Sequence, residues 1–223
     1  MCTHYLREGY ALEERWKMKS GDTYHDRNED RYRINTVDPA TVLSYVQDSN
    51  YGDHNLVVYP CLGQFEELYT ECCKYSTLNR NEIFVVFTYY QHVSAVRKKM
   101  HLAGIDTERF ENDGRLVIVD SQIAYQTTLE EGSTYNISSL IRGLTNQVQE
   151  SHREGITLLS DPGAFILNNR IADLVSYEVL FLRNLLDAKV KAFCCYHKDD
   201  FCILQEEQRK RIFAHHSTNL FVA

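Results

Sequence analysis

Six short apolar runs separated by stretches with helical spacing set the main constraint on this chain. The runs are Leu56–Tyr59, Ile83–Tyr89, Leu116–Val119, Ile156–Leu159, Val190–Cys195 and Leu220–Val222. A strand buried on both faces reads as a continuous apolar run, because neither side meets water. Between the runs, apolar residues recur with the helical period. Phe65, Leu68, Tyr69, Cys72 and Cys73 fall at i, i+3, i+4, i+7 and i+8, which is one face of a helix over about Gln64–Ser76. Val93, Val96, Met100 and Ala103 mark another helix, with Gly104 as its C-terminal cap. Strands alternating with helices predict a three-layer α/β sandwich with a mostly parallel central sheet.

Residues 1–52 differ from the rest, being rich in tyrosine and charge and poor in aliphatics. They read as an N-terminal extension or arm ahead of an α/β domain over 53–223. A short helix is expected at Pro39–Gln47, with Asp38 as N-cap and Pro39 in the first turn. The formal net charge of −7 offers no basic footprint for nucleic acid, so no direct nucleic-acid contact is expected. No apolar stretch approaches the roughly 18–20 residues that span a bilayer. The first residues lack a basic-then-apolar leader pattern. A cytoplasmic protein without membrane contact is the expectation. The seven cysteines are odd in number, include two adjacent pairs and form no Cys-x-x-Cys, so neither a disulfide framework nor a common zinc motif is read.

In an open parallel sheet, ligands bind beyond the carboxyl ends of the strands. Those ends carry Tyr59, Pro60 and Cys61, then Thr88, Tyr89 and Tyr90, Asp120 and Ser121, Ser160 and Asp161, and Tyr196 and His197. Aromatic walls with a few polar groups suit a small-molecule pocket. Leu116-Val117-Ile118-Val119-Asp120 has the form of a magnesium-holding strand, yet no Gly-x-x-x-x-Gly-Lys-Ser/Thr follows any strand. After the first run stands Pro60-Cys61-Leu62-Gly63-Gln64, which has no lysine for a phosphate. Glu178 projects from an apolar helix face beside Leu174 and Val175. A buried carboxylate there must be paired, hydrogen-bonded or protonated, and either a structural brace or a ligand-facing acid answers that. Cys61 precedes a helix N-terminus, where a thiol pKa falls, but no triad signature accompanies it. Spacing otherwise gives only scattered pairs of metal-ligand residues; His197, Asp199 and Cys202 are the one conceivable cluster, and a metal site needs three or four convergent ligands. No catalytic residue, metal or cofactor is expected.

Several of these elements together resemble the MEDS sensory domain of methanogen and methylotroph regulators. Asp53-His54-Asn55-Leu56-Val57-Val58-Tyr59 resembles its opening strand, with histidine first and tyrosine last. Ala103 to Phe110 and Gly114 to Asp120, followed by Tyr125, resemble its middle segment. Tyr177-Glu178 matches a Tyr-Glu pair on a long helix, and Phe193-Cys194-Cys195-Tyr196 with His215-His216 resembles its closing strand and terminal histidine. The family's tryptophan after the fourth run is absent here, Phe165 being the nearest aromatic.

The resemblance implies a RecA/KaiC-like fold without Walker A, and a sensory role toward a small organic ligand. Together, the rim and the resemblance give His54, Tyr59, Cys61, Asp120, Tyr125, Asp161, Glu178, Cys195, Tyr196 and His216 as candidate ligand-binding residues. A regulator or kinase partner protein and a homodimer are further expectations. The alternative is a degenerate RecA/KaiC-like protein that binds a nucleotide without hydrolysing it.

Overall fold

A computed structural model describes residues 34–125, 135–185 and 189–223. The six apolar runs all form strands, and a seventh joins them. In chain order the strands are β1 (Ile34–Val37), β2 (His54–Tyr59), β3 (Ile83–Thr88), β4 (Leu116–Asp120), β5 (Ile156–Ser160), β6 (Val190–His197) and β7 (Thr218–Val222). They make one sheet in the order β1-β7-β2-β6-β5-β3-β4. Every neighbouring pair is parallel.

Helix α1 (Pro39–Asp48) starts as the sequence predicts, with the Asp38 carboxylate accepting from the Thr41 amide at 3.1 Å. α2 (Leu62–Lys74) runs on into a π-helical turn over Tyr75–Asn79. α3 (Val93–Leu102) ends before Gly104, whose φ of +85° is the left-handed conformation that glycine adopts without a Cβ penalty. α4 (Thr107–Asn112), capped by Asp106, was not legible as a helix because it spans under two turns. The others are α5 (Tyr135–Glu150), α6 (Gly163–Leu167), α7 (Ile171–Leu185), α8 (Lys198–Ile203) and α9 (Glu206–Ala214). α8 and α9 are separated at Leu204, whose backbone is extended.

Side chains alternate across each strand, so the sheet has two apolar faces. On the first, Leu56, Val58, Val85, Phe87, Leu158, Ala192, Cys194 and Tyr196 pack under α5 to α9. On the second, Val57, Tyr59, Phe84, Val86, Leu159, Phe193 and Cys195 pack under α1 to α4. Phe65, Leu68, Tyr69, Cys72 and Cys73 all face that second core, as their spacing predicts.

Two findings refine the domain reading. Residues 34–48 of the N-terminal extension belong to the sheet and its cover: β1 pairs with β7, and α1 buries Val42 and Val46 in the second core. Residues 1–33 lie outside the described residues. The chain also turns back at the middle of the sheet. From β2 it crosses past β6 and β5 to reach β3, whereas from β6 it crosses past β2 to reach β7. A crevice opens where neighbouring strands send their connections in opposite directions. The β2–β6 pair is one such place, and at its carboxyl end Tyr59 and His197 are register partners.

Candidate functional site

The candidate site gathers residues from the carboxyl ends of β2, β3, β5 and β6. Tyr59 closes β2 and is 1% exposed. Its ring stacks on Phe65 at 4.9 Å and meets His197 edge-on at 5.5 Å. Its hydroxyl is buried and makes no hydrogen bond. Asp161, Tyr90, Cys195 and Asp200 lie close enough to act on it electrostatically, and burial with these neighbours raises its pKa well above the ordinary value. After β3, Tyr89 and Tyr90 meet edge to face at 5.2 Å, and Tyr90 tilts against His197 at 5.7 Å. The Tyr90 hydroxyl donates to the Asp200 carboxylate from α8.

Asp161 follows β5 and is buried. Its carboxylate accepts from the Gly163 amide at 2.9 Å and the Tyr89 amide at 3.3 Å. Burial outweighs those bonds and pushes its pKa up to about 7. Glycine at 163 suits this close approach. A Cβ there would come within 3.0 Å of the Tyr89 ring and 3.1 Å of the Asp161 carboxylate. Asp120 ends β4 and caps the following turn through the Gln122 amide at 2.8 Å. Cys61, half-buried, sits at the N-cap of α2.

A second cluster lies deeper, within the first core. The alternation of β2 and β6 puts His54, Cys194 and Tyr196 on the face covered by α7. Glu178 descends from α7 to meet them, and His216 enters from the turn between α9 and β7. All five are buried. Glu178 Oε1 accepts from the Tyr196 hydroxyl. Glu178 Oε2 lies 3.2 Å from Cys194 Sγ, 3.3 Å from His54 Nε2 and 3.5 Å from His216 Nε2. His54 Nε2 lies 3.1 Å from Cys194 Sγ, and the two imidazoles stack at 4.0 Å. Burial pushes the Glu178 carboxyl up, but His54, His216 and Tyr196 together override it and hold it at about 2. Burial and the neighbouring His54 lower His216 to about 3. One side-chain ligand atom from each of His54, Glu178, Cys194 and His216 falls within 4.8 Å of all the others.

The candidate residues therefore do not form one site. Tyr59, Cys61, Asp120 and Asp161 stand at the strand ends. His54, Glu178, Tyr196 and His216 form the buried cluster. Tyr125 lies in the same core, hydrogen-bonded to Ser160 Oγ at 2.7 Å and packed among Phe87, Phe165 and Tyr177. Cys195 points to the opposite face of the sheet from Glu178, into the second core. It is Cys194, in register with Leu56, that joins the cluster. The signal was available, since Cys194 and Tyr196 share a face at a spacing of two. Tyr90, His197 and Asp200 complete the rim. Asp200 carried no sequence signal, because only the short helix α8 folds it back over the strand ends.

The family model described as MEDS, methanogen/methylotroph, DcmR sensory domain, matches residues 53–216. Among curated proteins there is no match. A solved structure of a KaiC-like protein from the hyperthermophilic archaeon Pyrococcus horikoshii OT3 is similar over 67% of this chain, with 14% identity and a TM-score of 0.46. The chain spans 63% of that protein. Among the described residues no helix is long and apolar enough to cross a membrane.

Proposed function

This chain belongs to the MEDS family of sensory domains, and from that premise we propose that it senses a small organic molecule, neutral or cationic, held at the carboxyl ends of β2, β3, β5 and β6. The observation that carries this reading is the Tyr59 hydroxyl, buried and without a hydrogen-bond partner at the carboxyl end of β2. An unpaired buried hydroxyl costs about 1–3 kcal/mol, which a ligand's polar atom would relieve. Tyr89, Tyr90 and His197 supply aromatic walls, and Asp161 and Asp200 supply hydrogen-bonding carboxyls. The charge at the rim argues against the nucleotide alternative. Asp120, Asp161 and Asp200 stand at the ends of the strands or fold over them. A phosphate would meet carboxylates there, and the loop after β2 brings no lysine. The domain acts as a binder and not as a catalyst. Occupancy at the rim passes to a partner protein or a second copy of the chain.

The test is a thermal-shift series with short alcohols, amines and amides, and in parallel with magnesium nucleotides, on the wild type and Tyr59→Phe. Losing an unpaired hydroxyl should leave the unliganded variant at least as stable as the wild type, by about 1 kcal/mol. Organic ligands should raise the melting temperature of the wild type. Their affinity should drop about tenfold in the variant, equivalent to 1.4 kcal/mol. A shift confined to magnesium nucleotides, or an organic-ligand shift of equal size in both proteins, contradicts the reading.

A further inference from the structure

We propose that His54, Glu178, Cys194 and His216 form a closed four-ligand site for a divalent transition-metal ion, zinc being the best match. The inference is independent of the rim, because the cluster lies in the first core whereas Tyr59 faces the second.

Geometry is the first argument. In a tetrahedral zinc site the metal lies about 2.0–2.1 Å from nitrogen or oxygen and about 2.3 Å from sulfur, so ligand atoms sit roughly 3.3–3.6 Å apart. The separations here are 3.1 Å for His54 Nε2 to Cys194 Sγ, 3.2 Å for Cys194 Sγ to Glu178 Oε2, 3.3 Å for His54 Nε2 to Glu178 Oε2 and 3.5 Å for His216 Nε2 to Glu178 Oε2. An ion needs those four edges to move by only tenths of an ångström.

Hydrogen bonding is the second. His54 Nδ1 faces the His215 carbonyl oxygen at 3.1 Å, and His216 Nδ1 faces the Ile212 carbonyl oxygen at 2.7 Å. A carbonyl can only accept, so each Nδ1 carries its hydrogen. With Nδ1 turned to a backbone carbonyl in each ring, Nε2 is the nitrogen that faces the carboxylate. Acceptors converge there with few hydrogens to share, and His216 Nε2 makes no hydrogen bond although it is buried. A cation resolves that conflict. The same backbone carbonyls orient both rings in the way that outer partners orient metal-binding histidines, and Tyr196 does so for the free oxygen of Glu178.

Charge is the third. Burying a lone cation is prohibitive unless its charge is matched nearby. A divalent ion bound by one carboxylate, one thiolate and two neutral imidazoles is balanced to zero. Binding releases the Cys194 thiol proton to solvent. Nitrogen and sulfur donors favour zinc over magnesium or calcium, which prefer oxygen alone. All four positions are filled by protein and none is left for substrate, so the site is structural. It ties β2, α7, β6 and the α9–β7 turn together.

The experiment strips the full chain with a chelator and titrates it with cobalt(II) chloride, then with zinc(II) chloride. The expected result is one cobalt per chain with a sulfur-to-cobalt charge-transfer band in the near ultraviolet, displaced by zinc. Cys194→Ser should abolish the band, and His216→Gln should weaken cobalt binding at least about tenfold. A folded wild type that takes up no cobalt, or a band that survives in Cys194→Ser, overturns the proposal. The latter would place the metal on another cysteine. If Cys194→Ser does not fold, His216→Gln decides: cobalt affinity equal to that of the wild type is equally fatal.

Discussion

At Asp161 burial and hydrogen bonding oppose each other. Two backbone amides favour its charged form, and removal from water favours the neutral one more strongly, giving a native pKa of about 7 against an ordinary 3.8. The sign of the stability effect follows. Between about pH 4 and pH 7 the native carboxyl keeps a proton that the unfolded chain has lost, so native protein binds more protons and stability falls as pH rises. The contribution is complete below about pH 4 and gone above about pH 7. Asp161→Asn removes it. In urea unfolding at several pH values, wild-type stability relative to the variant should fall by up to about 1.4 kcal/mol per pH unit across that window and level off above it. A flat difference would mean the carboxyl is ionised in the native state. The same proton makes Asp161 a hydrogen-bond donor toward a ligand below neutral pH and an acceptor above it.

At the scale of elements, β6 does two jobs because its faces differ. One face delivers Cys194 and Tyr196 to the buried cluster. The other carries Lys191, 1% exposed, whose ammonium reaches Glu82 Oε1 at 3.2 Å just ahead of β3. Glu82 also accepts from Thr157 of β5 at 2.5 Å and from Tyr51 at 2.9 Å. The brace joins three strands at their amino ends. Lys191→Met should cost about 3 kcal/mol in a urea melt, because the buried carboxylate then keeps only the more distant Arg80 guanidinium, at 3.9 Å, as counter-charge. The double variant Lys191→Met with Glu82→Leu should recover much of that, since two apolar groups no longer need each other's charge. Equal losses in the single and double variants would show that shape, not charge, sets the cost. Lys191 also shows where sequence reading stops. Its run was legible as a strand, as were the other five, because local apolarity marks a doubly buried strand. β1 was not, since Ile34-Asn35-Thr36-Val37 is half polar and becomes a strand only by pairing with β7 at the far end of the chain. The same limit divides the candidate residues. Glu178 and Tyr196 stood out by position, and His54 and His216 came from the family resemblance, but their separation from Tyr59 and Asp161 depends on which sheet face each occupies. That in turn depends on strand register, a long-range property. Without that register, Cys194 and Cys195 cannot be told apart as the cysteine that faces Glu178.

For the whole molecule, strand order implies an order of opening. β2, β6, β5 and β3 are each paired on both sides and sandwiched between two cores. β7 is inner only because β1 covers it, and β1 touches the sheet through β7 alone. The first strand can therefore dock only on the last, and its release exposes no pairing except that of β7. Local stability should follow this hierarchy, since opening free energy tracks the burial and pairing that are lost. Hydrogen exchange on the intact chain, read by peptide, should show β1 and α1 exchanging fastest among these elements, β7 next, and β2, β5 and β6 slowest, near the global unfolding limit. Zinc should then slow exchange most at β7, because His216 anchors the turn from which that strand starts, and should slow β1 through it. Uniform protection across the sheet would show instead that β1 and β7 open only with the core, and that the N-terminal strand is as much a part of the folding unit as the center of the sheet.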